Sequence, residues 1–73
     1  MLTESFELWT ADVIVLFDWL MSVDLNAVPI SHPAQKQALA DLLTCLEAQT
    51  HAVTATAEDI AFAQAQVAAD MGW

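Results

Sequence analysis

The chain has 73 residues, room for one domain spanning 1–73, and 58% of them are apolar against roughly 45–50% in an average soluble protein, a count that there includes glycine. Ten Asp and Glu face one basic residue, Lys36, for a net charge of −9. Binding to phosphate backbones or to anionic membrane surfaces depends on Lys and Arg, so neither nucleic acid nor membrane is an expected partner; a basic protein partner, or simply good solubility, fits the charge better.

Residues 4–9, Glu-Ser-Phe-Glu-Leu-Trp, alternate polar and apolar and read as a short extended strand. Thr10 is the expected N-cap of a first helix over about 11–23, with Asp12 in its first turn against the helix dipole. Placed at 100° per residue, Val13, Ile14, Leu16, Phe17, Trp19, Leu20, Met21 and Val23 cover more than half of that helix's circumference. Only a strip with Ala11, Asp18 and Ser22 is left for water. A helix so nearly apolar all round is expected to be buried on several sides.

Residues 24–31 form a loop marked by Pro29. Pro33 suits the first turn of a second helix over about 33–50, capped by Ser31 or His32. Leu39, Leu42, Leu43 and Leu46 share one of its faces, with Gln37, Asp41, Thr44 and Glu47 opposite. After a break at 51–55, Thr56 caps a third helix over 57–71, with Glu58 and Asp59 in the first turn and Gly72 as its stop. Ile60, Ala63, Gln64, Val67 and Met71 are its main face; Phe62 points elsewhere, grouped with Ala65 and Ala69. The expected architecture is all-α, a small three-helix bundle with a short N-terminal extended strand.

A chain this short that carries surplus apolar residues must leave some of them at its surface, where the usual purpose is contact with another chain. Glu7, Asp12, Asp18 and Asp24 interrupt the best candidate for a membrane span, and no positive charge precedes an apolar run as in a secretory signal. The expected location is the cytoplasm. Cys45 is the only cysteine, so neither an internal disulfide nor a cysteine-rich zinc site can form.

Catalytic and metal-binding patterns are not assembled in the sequence. His51 lies six residues beyond Cys45, and the thiol reads as inert and partly buried. His32 and His51 are not at a spacing that puts a second ligand on the same helix face; they read as residues of a helix start and a helix end. Glu58 and Asp59 are dipole partners rather than an acid–base pair. Acyl carriers, which are acidic and helical at this length, need a serine at a helix start in an Asp-Ser-Leu-like context; Ser22 and Ser31 do not match it. No enzyme activity, metal or cofactor is expected.

Residues 8–20, LWTADVIVLFDWL, and the later HPAQKQALADLLTCLE resemble a pattern of small uncharacterised bacterial proteins. In these a short strand leads into a helix reading like E-A-L-V-L-F-E-W-L, and a second helix follows. The resemblance covers about residues 5–47. It implies the order strand, helix, helix, helix and brings no activity, cofactor or catalytic residue.

The three tryptophans carry the interaction signal, because Trp combines large contact area with few rotamers. Trp19 reads either as core or as interface; Trp9 and Trp73 are exposed by position. The leading expectation is a non-enzymatic interaction protein that self-associates as a homodimer through apolar helix faces, with Phe6, Leu8, Trp9, Phe17, Trp19, Met21 and Phe62 at the interface. The alternative is an acidic inhibitor, of immunity or antitoxin type, that masks a basic site on a partner protein.

Overall fold

A computed structural model describes residues 2–72, and of Met71 only the backbone; Trp73 lies outside the described residues. The described chain is all-helical, with α1 over Thr10–Ser22, α2 over Pro33–Glu47, α3 over Thr50–Val53 and α4 over Ala57–Met71. Residues 2–9 precede α1 as an open segment without helix, turn or bend, and no strand forms among the described residues. The alternation at 4–9 meets the side-chain condition for a strand but not the backbone one, since a strand needs a second strand beside it.

Local chemistry sets most boundaries. α1 begins one residue earlier than expected, so the residue before it is Trp9, whose indole is a donor only and caps nothing. The Val13 N–H reaches the Trp9 carbonyl at 3.1 Å, and Asp12 stands in the first turn. At the far end the Val23 N–H closes on the Trp19 carbonyl at 2.8 Å, and the Ser22 hydroxyl donates to the Asp18 carbonyl at 3.0 Å. The Asp24 carboxylate accepts from the Asn26 N–H at 2.9 Å and turns the chain into the loop. Lys36 of α2 donates to the Asn26 side chain and ties this loop down.

α2 starts with Pro33 in its first turn, and of the two expected caps His32 is the one used: its Nδ1 accepts from the Ala34 N–H at 3.0 Å. The Gln35 side chain reaches back to accept from the His32 N–H at 3.4 Å, completing a reciprocal cap, and also from the Ser31 N–H at 2.7 Å. The helix ends at Glu47 rather than running to 50. Gln49 leaves the helical region (φ −90°, ψ 114°), and one further turn forms as α3. Thr50, Val53 and Thr54 are β-branched and poor helix formers, and the break lets Ala52 turn inward, where it is buried. α4 follows its expected limits. The Thr56 hydroxyl accepts from the Asp59 N–H at 3.2 Å, the Asp59 carboxylate accepts from the Thr56 N–H at 3.0 Å, and Gly72 ends the helix at φ 77°.

Helix α1 is central: α2, α3 and α4 all pack against it. Val13 shares a cleft with Leu42 and Leu46, so the C-terminal half of α2 lies beside the N-terminal half of α1. Ala11 and Ile14 share another with Phe62 and Ala63, which sets the N-terminal half of α4 against the same end. The core is thin. Among the described residues the buried apolar side chains are Ala11, Leu20, Leu46, Ala52 and Ala63, three alanines among them. Ala11 was expected to face water and is buried instead, because small side chains at Ala11, Ala52 and Ala63 let α3 and α4 come close to α1.

The other large apolar residues of α1 are only half-buried, and Trp19 and Met21 are exposed. Leu39, Leu42 and Leu43 of α2 are half-buried beside the fully buried Leu46; Gln37, Asp41, Thr44 and Glu47 are exposed, as their face requires. On α4 Ala63 is buried and Ile60 and Val67 half-buried, whereas Gln64 is exposed. The accessible surface is 5748 Å², although a folded monomer of this mass exposes about 4,400 Å². The radius of gyration, 13.2 Å, likewise exceeds the roughly 11 Å expected for 73 residues.

Candidate interaction surface

The surplus area is concentrated on particular side chains. Along the N-terminal arm Leu2 is 96% exposed, Phe6 71% and Trp9 58%, with Leu8 also exposed. This arm borders a cleft of about 490 Å³, lined by residues 4–8 of the arm on one side and by Val13, Leu42, Cys45 and Leu46 of the helices on the other. None of the hydrogen bonds of the described residues involves residues 2–8. The arm is held by side-chain contact alone.

Of the residues singled out in the sequence, Phe6, Leu8 and Trp9 are thus brought to the start of α1. Phe62 is exposed on α4 beside the same end of α1, but in a separate cleft shared with Thr10, Ala11, Ile14 and His51. Trp19 and Met21 sit at the opposite end of α1, both exposed, and Phe17 between the two ends is half-buried. The seven residues do not form one patch. They form two clusters about a helix length apart, joined along α1.

Sequence reasoning missed a third region. Val28, Pro29 and Ile30 of the loop, with Ala38, Leu39 and Leu42 of α2, line an open and mostly apolar groove. The signal was three consecutive apolar residues in a segment where loops are normally polar; Pro29 drew the reading toward a turn. Exposed Val53 on α3 escaped notice for the same reason, lying where the pattern broke.

The chemically reactive side chains stay apart. Cys45 is exposed rather than partly buried, at the edge of the leucine face where it lines the cleft beside the arm. His32 is engaged through Nδ1 as a helix cap, and His51 stands in the short α3. The described residues contain no group of three or more His, Cys, Asp or Glu placed to hold a metal ion, and no buried polar side chain without a partner. Asp59 has its carboxyl held below its usual value of 3.8, first by the backbone N–H of Thr56 and then by the Thr56 side chain. That shift follows from the hydrogen bonds of the helix cap. No described helix is long and apolar enough to cross a membrane. No family model, curated protein or solved structure matches the chain.

Proposed function

We propose that this chain is a non-enzymatic interaction protein of the cytoplasm, a three-helix bundle of α1, α2 and α4 bridged by α3, whose fold is completed by a second copy in a symmetric homodimer. The observation that carries this reading is the size of the core: Leu20 and Leu46 are the only large side chains buried among the described residues of a chain that is 58% apolar. The surface exceeds that of a typical monomer by about 1,300 Å², and a stable interface removes about 800 Å² from each partner. A dimer therefore needs less area than this monomer has in surplus.

The closed two-fold arrangement is the commonest way for a chain to cover its own apolar face, since one patch meets itself. Each copy carries a charge of −9, so two copies repel at long range, and salt that screens this repulsion strengthens an apolar dimer. The direct test is mass in solution by light scattering behind a sizing column, at low and high salt. A mass of twice 7.9 kDa that persists or grows with salt is the expected result. A monomer at every concentration and salt overturns it.

One observation favours a second reading, the masking of a basic site on a partner protein: the charge itself, ten acids against Lys36. Such a complex weakens steeply as salt rises, the opposite trend. A monomer that binds polylysine at low salt and releases it at high salt would put this reading first.

A further inference from the structure

We infer that the N-terminal arms of two copies pair as an antiparallel β-ribbon across the dimer axis, an inference that rests on the homodimer proposed above. Residues 2–9 run unbent, and Ser5 to Leu8 alternate polar and apolar as in a strand, yet no strand lies beside them among the described residues. Water satisfies the arm's backbone groups in the monomer. What a single copy leaves unsatisfied is the apolar side, where Leu2, Phe6 and Leu8 occupy even positions and are exposed. An unpaired extended segment with an apolar face is a template for another strand, and the second copy supplies an identical one.

Side-chain periodicity limits the register. In an antiparallel pair directly opposed residues point to the same side, so even positions must face even positions for Leu2, Phe6 and Leu8 of both arms to share one side. Three such registers centre the dyad near the middle of the arm. With the dyad at Ser5, each Phe6 ring stands opposite the charged Glu4 rather than an apolar partner. With the dyad at Glu7, the two Glu7 carboxylates stand opposite one another, and like charges there are destabilising. With the dyad at Phe6, the two Phe6 rings meet, Glu4 faces Leu8, Ser5 faces Glu7, and no like charges are opposed. The Phe6 register, which alone pairs the two rings without opposing like charges, is the one assigned.

A two-stranded ribbon alone is marginal in water and needs a surface beneath it. The helix side of the cleft, with Val13, Leu42 and Leu46, faces the arm and provides one. The arm holds much of the exposed apolar side-chain area, so pairing draws on the surplus that distinguishes this monomer.

The experiment has two parts, both on the full chain. Phe6→Asp is made first; because Phe6 is exposed in the monomer, helix content by circular dichroism is expected to be unchanged. Two copies of the buried ring are lost from the dimer, so self-association should weaken by about 100-fold or more, and the dimer peak should disappear at micromolar concentration. Next, Ser5→Cys and Glu7→Cys are each placed in a Cys45→Ser background, with Phe6 kept, and oxidised mildly, singly and mixed in equal amounts. The mixed 5–7 cross-link should outpace either self-cross-link, since in this register residue 5 faces residue 7 of the other arm.

A dimer that survives Phe6→Asp, with no preference among the three cross-links, overturns the ribbon while leaving the homodimer standing. Fastest self-cross-linking at position 5 or at position 7 overturns the register. An original chain that stays monomeric overturns both the ribbon and the dimer. Should Phe6→Asp unfold the chain, the cross-linking order decides alone.

Discussion

Leu20→Ala tests the packing most directly, because Leu20 is 3% exposed in a core with only one other large side chain. The substitution removes three carbon groups at about 0.8 kcal/mol each, or about 2.4 kcal/mol of transfer free energy. A residual cavity adds to this, and buried Leu→Ala changes elsewhere cost about 2.7–5 kcal/mol. A domain below roughly 70–80 residues seldom has more than about 3–5 kcal/mol in total. A loss of about 3 kcal/mol therefore takes most of what the chain has. With a urea slope of about 1 kcal/mol per M for a protein this small, the midpoint should fall by about 3 M, enough to leave the variant partly unfolded in buffer. The assay is urea unfolding followed by circular dichroism, with both proteins at one fixed concentration. A shift below about 1 M would mean that Leu20 is not packed as described and that α1 does not organise the core.

Substitutions at four other positions probe single features. Thr56→Ala removes the acceptor for the Asp59 N–H at the start of α4 and should cost about 1 kcal/mol, read as a fall in thermal midpoint. Asp59 has its pKa lowered by folding, so it stabilises the folded state above its unfolded value near 3.8, and that contribution disappears as pH drops through the lowered folded value; Asp59→Asn should flatten the stability–pH curve below about pH 4 and leave its slope at neutral pH unchanged. His32→Ala should cost about 0.5–2 kcal/mol by removing the acceptor for the Ala34 N–H, whereas His32→Asn, which can accept the same bond, should restore most of it in the same melting experiment. Asp70→Lys exchanges a charge that opposes the helix dipole for one that favours it in the last turn of α4 and should stabilise the chain by about 0.3–1 kcal/mol.

What the sequence revealed and what it concealed divide along a physical line. The limits of α4 were legible because they depend on local chemistry: Thr56 and Asp59 cap each other across three residues, and Gly72 takes a positive φ that other residues avoid. The start of α2 was legible for the same reason, through His32 and Pro33. The break at Gln49 was not, because residues 48–50 carry no Gly or Pro and the helical pattern of 39–46 gives no sign of stopping. There the chain turns so that Ala52 can pack inward, and that decision is tertiary. Ala11 misled for a related reason. Periodicity counts alanine as weakly apolar and assigns it to water, while a close helix crossing requires that a small residue be the one buried.

The apolar circumference of α1 raises the last question, since the pattern called for burial on several sides and a single copy supplies it only in part. The other helices bury Ala11 and Leu20, leave Val13 to Phe17 half-covered, and leave Trp19 and Met21 open. Periodicity reports the burial a side chain is suited to, and coordinates of one copy report the burial it has. The difference between them is largest at the arm and at the far end of α1. These two clusters are separated by about a helix length, so one small two-fold contact cannot cover both unless it runs along α1. The test is to place a charge at each cluster in turn. If Trp19→Asp leaves the dimer intact while Phe6→Asp dissolves it, the interface is the arm, and the far end of α1 is free for a different partner. If both dissolve it with helix content retained, the contact spans the length of α1, and the half-buried residues between the clusters, Phe17 among them, belong to it.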